Sequence, residues 1–598
     1  MPITPLYRPQ VHPGRWPWSS YNAVIGLAAL GAAIAVPLIT LPSQSLAQSD
    51  PALVALAATQ GGTTVTINGI NASIPWIVNQ GQVALADYGL VRHLGLTLLN
   101  TENPSRQPVQ WFSSAPMDLP TQTQGGYRYL EITSLVNRYG WKVGVQGATL
   151  TIQTPSAAVQ SINRTTYPWG DRWVINLSGP AAVQGLETNG RLNLTLAATA
   201  PANLLSSGPG GKAPVITSGG SLTRLALELS PAYARPQIST QANPPQVIVD
   251  VRPDYLQPLN ILWAPGLRWR QQYLKVGSLA FPVYWLELTL QPSQLSLRPI
   301  WTDPTTVIGT APLSTIATRW QAAAAINAGF FNRNNQYPLG AIRYNQSWIS
   351  GPILSRGAIA WDGQGQTRMD RVWLQQTLIL GSGQTFPLQA VNSGYVSAGI
   401  GLYTPAWGPQ YRPIVANETL ITVARGRILG VQASQGEKTS PTAIPRDGYL
   451  LVVRANSAAS QALTLGTEVR VDSNLLPTSM ASLPQVVGGG PLLLKQSTLV
   501  LNGKAEQFSD SFTNQAAPRS AIGVTANGHL LLVAVHLSPS GSGPTLGQLA
   551  QIMAQLGSTD ALNLDGGSSA SLYLGGQLIN RPADTAARVN NGIGVFFP

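Results

Sequence analysis

Cysteine is absent from this chain. That excludes disulfides, thiol nucleophiles and thiolate-bound metals, so an exported form must be stable by packing alone. Charge is scarce too: Asp, Glu, Lys and Arg make up 10% of the 598 residues. Lys and Arg outnumber Asp and Glu by 36 to 24, giving a net charge of +12, yet they are scattered rather than clustered. No basic stripe for nucleic acid follows from that pattern, and none is expected as a partner. A diffuse positive field favours anionic ligands such as phosphodiesters or envelope polymers, and serves solubility equally well. No His-x-x-x-His, Asp-x-Asp-x-Asp-Gly or similar ligand spacing occurs, so no cofactor and no tight metal site are expected; a loosely held divalent cation stays open. Long apolar runs are missing after Gln48.

The one run before it reads as a targeting segment. Arg8 and Arg15 precede the apolar stretch 23–36, and Ser45-Leu46-Ala47 offers small residues for cleavage. Residues 1–47 are therefore expected to be a signal peptide, or an uncleaved anchor if the apolar count runs on to Leu41. Either way the rest of the chain is expected outside the cytoplasmic membrane, in the periplasm or the envelope. A chain this long exceeds a single hydrophobic core. Its 59 glycines and 47 prolines suit β-rich domains with many turns. The expected fold is α+β and β-rich: two small β domains (48–155 and 156–255) followed by a larger mixed-sheet α/β domain (260–598).

Local patterns support that division. Thr64-Val65-Thr66-Ile67 and 148–152 alternate as strands, Asn68-Gly69 signals a turn, and 130–139 suits a short helix ending at Gly140. Tracts 171–180 and 245–251 alternate as two further strands, and 206–220 reads as a mobile loop. In the third segment, 312–327 has the ingredients of a helix, with 329–332 as a tight turn after it. Arg519 to Thr525 and His529 to Leu537 are strands joined at Asn527-Gly528. Leu546, Leu549, Ala550, Met553 and Leu556 recur at helical spacing, with Thr545 to cap the start and Gly557 the end. A short apolar strand, 561–565, then runs into Gly566-Gly567-Ser568-Ser569, and a last strand near 593–597 is expected to close the sheet.

Four tracts carry a resemblance to a family: Ala325-Ile326-Asn327-Ala328-Gly329-Phe330-Phe331, Gly488-Gly489-Gly490-Pro491-Leu492, Arg519-Ser520-Ala521-Ile522-Gly523, and 562–570 with Asp565 at its centre. In this order they resemble the phosphodiester glycosidases, which split a sugar from a sugar-1-phosphodiester. The resemblance covers rather more than half of the chain. Upstream, 62–152 resembles the small N-terminal domain of copper amine oxidases, and 171–180 with 245–251 resembles AMIN domains. Those two imply contact with peptidoglycan or polysaccharide.

Cleavage at an anomeric carbon needs a carboxylate near that carbon, donors for phosphate oxygens, and charge stabilisation of the departing phosphate. Asp565 is the first choice for the carboxylate and Arg519 for the phosphate. Gly566 and Gly567, and likewise Gly489 and Gly490, can present backbone N–H groups to an anion, with Ser568 and Ser569 adding hydroxyls. Taken without the resemblance, Asp565-Gly566 also reads as an ordinary hairpin turn, and Arg519 as a surface ion pair. Asn327 and Asn563 lie in apolar tracts where an unpaired amide costs about 1–3 kcal/mol, so they either bind sugar hydroxyls or satisfy neighbouring backbone; Gly329 follows in the first motif. His536 could act as acid, base or sugar contact, or be structural. Many relatives have a Gly-Arg pair where this chain has Val535-His536-Leu537. Asp560, Asp584, Glu506 and Asp510 are all candidates for a second carboxylate, and spacing singles out none of them.

The implied activity is hydrolysis of a glycosyl-1-phosphodiester, of the N-acetylglucosamine-1-phosphodiester type, in the envelope. A non-catalytic protein that binds an anionic glycan in the same pocket is the alternative, and a phosphodiesterase attacking phosphorus is a third.

Overall fold

The computed structural model describes residues 60–188, 190–205, 214–291 and 293–598. The expected targeting segment and the first part of the expected loop at 206–220 lie outside these. Among the described residues no helix is long and apolar enough to cross a membrane.

The first region is a nine-stranded sheet running from Gln60–Ile67 to Thr149–Gln153, and these two strands pair in parallel, so its ends meet. The short helix falls at Thr133–Tyr139 and is stopped by Gly140, whose φ of 64° suits glycine. In the second region, Gly170–Leu177 pairs antiparallel with Gln246–Arg252 in a five-stranded sheet. A four-stranded sheet accompanies it, and Trp173, Ile175 and Val247 share a core with Leu192, Leu194 and Leu225. Both small regions are tied to the third. The Trp263 indole donates to Asp87 Oδ2 at 2.7 Å, beside a buried Asp87–Arg128 ion pair, and Tyr233 Oη donates to the Pro539 carbonyl at 3.0 Å.

The third region is a set of sheets, and the four motifs stand at their corners. An eight-stranded, wholly antiparallel sheet contains Leu279–Leu288, Leu530–Val535, Arg519–Thr525, Ser558–Asn563 and Leu492–Lys495 as successive neighbours. A second sheet orders Ser296–Trp301, Asn591–Phe596, Ala324–Asn327, Leu572–Leu574 and Gln577–Leu578. A third holds Gln485–Gly488 between Ile342–Tyr344 and Gly357–Trp361. The chain passes from the first sheet to the second at 564–571, from the second to the third at 328–341, and from the third to the first at 489–491. A seven-stranded sheet running from Arg427–Ala433 at one edge to Val469–Leu476 at the other has its own core around Ile421 and Leu451.

Three expectations need correction here. The helix expected over 312–327 ends at Trp320, because Gln321 takes a left-handed φ of 58°. Ala324–Asn327 then becomes a strand between two others, where its run of small side chains is fully buried. The last strand, Asn591–Phe596, lies inside its sheet rather than at the edge. Asp565-Gly566 is no hairpin turn, since the strands on either side of it belong to different sheets. The helix Leu546–Gln555 does form as expected, with a capping box between Thr545 and Gln548 and Gly557 at φ 87° behind it. It packs Leu546, Leu549 and Met553 against the eight-stranded sheet.

Candidate active site

A chain leaving one sheet for another abandons its ladder partners, so its backbone groups need others. Buried amides supply them. Asn327, with no exposed surface, donates from Nδ2 to the Asp565 carbonyl at 2.7 Å and accepts at Oδ1 from Ser520 Oγ at 2.7 Å and the Ser571 amide at 2.9 Å. The Ala328 carbonyl accepts from the Asp565 amide at 2.8 Å. Two strand ends thereby hold Asp565 in place. Asn563, equally buried, donates to the Gly490 carbonyl at 2.7 Å, and its own carbonyl accepts from the Gly490 amide at 2.7 Å. Both asparagines thus hold neighbouring loops, one of the two readings their sequence left open, and Asn563 Oδ1 is buried without a partner.

Gly329 is similarly built in: its amide donates to Asn591 Oδ1 at 2.8 Å. The glycines at 488–490 are not the anion cradle expected of them. Their amides donate to the carbonyls of Ala341, Gly357 and Asn563 in turn. What they provide is room, because a Cβ on Gly489 would stand 2.5 Å from the Asn563 carbonyl, and one on Gly490, at φ 111°, would stand 2.6 Å from Glu506 Oε2. Glu506 itself is fully buried and accepts from the amides of Gly357 and Leu492 and from Arg371 Nε at 3.1 Å. It braces that corner and is not free to act as a second acid. Asp510 pairs with Lys504 at the surface, and Asp560, on the interior strand Ser558–Asn563, accepts from the Thr559 hydroxyl.

Asp565 stands at the head of the single turn Gly567–Ser569. Burial pushes its carboxyl up to about 6, against the opposing pull of the Ser569 hydroxyl, Arg333, the Gly566 amide and Arg519. The charged side chains acting on it are thus both guanidinium groups. Arg519 is almost wholly buried, and burial lowers it to about 10 while Asp565 opposes that shift. It remains a cation at neutral pH. Its Nε donates to the Pro544 carbonyl at 3.3 Å and its Nη2 to that of Gln515. Gly566 lies directly against it: a Cβ there would be 3.4 Å from Arg519 Cδ and 3.7 Å from Nη1. Gly567, at φ 64°, donates its amide to the Pro518 carbonyl, Ser569 is buried, and Ser568 is exposed at the turn.

An acid poised near neutrality beside two cations suits work on a negatively charged substrate. Beside Arg519, Phe330, Phe508 and Phe512 pack with ring centroids 4.9–5.8 Å apart. Arg356 lies over Phe508 at 4.1 Å, and Arg519 over Phe512 at 5.5 Å. Sequence reasoning missed Arg333, Arg356 and Asn591. Arg333 lies just past the first motif, and Asn590-Asn591 is a pair of amides opening an apolar strand, the signal that singled out Asn327.

His536 is elsewhere. It lines hollows between the second region and the third, with Tyr233, Arg235 and Arg581. Burial, with Arg581 and Arg235, lowers its imidazole to about 3, so it is neutral. It is absent from the groups acting on Asp565. Arg581 joins the two places, donating from Nη1 to the carbonyls of Gly567, Ser568 and Ala570.

Residues 419–596 match the family described as phosphodiester glycosidase. A crystal structure of a hypothetical protein from Synechocystis is 40% identical with a TM-score of 0.85, covering 90% of this chain and 99% of that one. A protein from Burkholderia pseudomallei K96243 is 18% identical, with a TM-score of 0.46 over 76% of this chain and 99% of that one. The catalytic domain of zebrafish N-acetylglucosamine-1-phosphodiester alpha-N-acetylglucosaminidase, auto-inhibited by its pro-peptide, is 14% identical, with a TM-score of 0.29 over 54% and 81%. No curated protein matches. The chain belongs to the family of the Synechocystis protein, and its C-terminal part carries a phosphodiester-glycosidase-type domain.

Proposed function

We propose that this chain hydrolyses a glycosyl-1-phosphodiester outside the cytoplasmic membrane, releasing the sugar and a phosphomonoester. The observation that carries the reading is the corner at Asp565, where a partly buried carboxyl raised to about 6 is acted on by Arg333 and Arg519. In this reading the ionised Asp565 faces the anomeric carbon and stabilises positive charge as the C–O bond breaks, while Arg519 and Arg333 hold the phosphate. A phosphomonoester leaves readily, so cations at its oxygens reduce the need for a strong general acid. Ser568 and Ser569 offer hydroxyls on the same turn. Arg356 and the three phenylalanines extend the floor beyond it. The two N-terminal regions serve as envelope contacts, toward peptidoglycan or polysaccharide.

The test is release of reducing sugar from an N-acetylglucosamine-1-phosphodiester by residues 48–598, run in oxygen-18 water. Label in the sugar supports cleavage at carbon; label in the phosphate overturns it in favour of attack at phosphorus. Saturable glycan binding with no product after long incubation supports a binding protein instead.

A further inference from the structure

Three hollows meet at Arg235, away from Asp565. One, about 240 Å³, is lined by all three regions: Leu96 and Leu98 from the first, Arg235 from the second, Trp269 and Tyr284 from the third. A second hollow shares Arg235, Tyr284 and Leu256 with it and reaches His536. The third, about 280 Å³, runs from His536 past Glu187 and Tyr233. The first two regions thus close over the third along a channel of two hollows, about 240 and 280 Å³, joined by a constriction of about 20 Å³, each hollow just under the roughly 300 Å³ at which small-molecule sites begin.

Residues lining these hollows hold buried polar atoms with no hydrogen-bond partner: Trp269 Nε1, Arg235 Nη1 and His536 Nε2. Such atoms are rare in folded proteins, and each left unmade costs about 1–3 kcal/mol. Their chemistry discriminates between ligands. The indole and guanidinium nitrogens can only donate, and a neutral imidazole nitrogen donates or accepts according to tautomer. Arg235 is already charge-balanced by Glu187, with Nε 3.1 Å from Oε2. An anion would satisfy the donors but face the Glu187 carboxylate. Hydroxyl groups donate and accept at once, and the faces of Trp269 and Tyr284 offer apolar walls to sugar C–H groups.

We propose that this channel is a second, non-catalytic site for an uncharged saccharide of one or two units, bound where the three regions meet. It stands independently of the reaction assigned to Asp565. It also has a route to that corner, since Arg581 lines the channel and holds the carbonyls of the Gly567–Ser569 turn.

The experiment is calorimetric titration of residues 48–598 with N,N′-diacetylchitobiose, maltose and cellobiose, with inorganic phosphate as the anionic arm, in the parent and in Asp565→Asn, Trp269→Phe and His536→Phe. Expected is saturable binding of at least one disaccharide, unchanged by Asp565→Asn and weakened roughly tenfold by Trp269→Phe, which keeps a six-membered aromatic face and loses the five-membered ring with its N–H. The His536→Phe variant should weaken it too, so the result does not hang on one substitution. Loss of disaccharide binding in Asp565→Asn alone would place the sugar in the catalytic pocket and overturn the proposal. So would binding of phosphate in preference to every saccharide, or no saccharide binding at millimolar concentration.

Discussion

Replacing Asp565 by Asn separates the cost of burying a charge from the use made of it. The carboxyl is raised from 3.8 to about 6, and about two pH units correspond to an upper bound near 3 kcal/mol. Below 3.8 both folded and unfolded chains hold the proton, and Asp565 contributes nothing to pH dependence. Between 3.8 and 6 the folded chain keeps a proton that the unfolded chain has released, so stability falls as pH rises. Above 6 the full cost persists. Asn keeps the size of Asp565 and carries no charge, so the variant should melt higher than the parent at about pH 7.5 and converge with it near pH 4. For a cooperative unit of the third region's length, about 3 kcal/mol corresponds to roughly 4 °C. Calorimetric scans of both proteins across this pH range measure the difference directly, since other titrating groups cancel. Turnover should vanish in the same variant. A melting difference of constant size across the range, or an Asn variant less stable at neutral pH, would refute the claim that Asp565 is a desolvated carboxylate.

The same burial predicts that kcat/KM for sugar release rises through an apparent pKa near 6 if Asp565 acts as the carboxylate; a profile flat from about pH 5 to 8 assigns that role elsewhere. Arg519→Met should lower kcat by about 10²–10³, the usual loss for one preorganised group at a developing charge, as read by initial rates. His536→Gln should leave turnover intact and reduce acid sensitivity. The folded imidazole stays neutral down to about 3 while the unfolded one gains a proton below 6.5, so the parent loses about 2 kcal/mol by pH 5 that the variant keeps, measurable as a difference in melting between neutral and acid buffers. Asn327→Ala removes three buried hydrogen bonds and should cost about 3 kcal/mol or more in the melt, with activity falling as the Asp565 corner loosens.

Short-range pattern made much of this molecule legible in the sequence. The strands at 64–67 and 148–152, the helix capped by Thr545, the hairpin at Asn527-Gly528 and the β-rich class all follow from side-chain periodicity and turn chemistry, which act over a few residues. The motif tracts around Asp565, Arg519, Gly490 and Asn327 stood out for the same reason, as polar or glycine-rich breaks in apolar runs. What each break does was decided only in three dimensions. Asn327 and Asn563 brace corners between sheets, the amides of 488–490 are consumed by carbonyls distant in the chain, and Ala324–Asn327 became a strand because two others flank it. His536 lies apart from Asp565 although its strand neighbours the one bearing Arg519, since burial against the second region fixes where it points. Partners hundreds of residues apart set the burial, and burial sets the proton affinity of Asp565; no local pattern of residues encodes either.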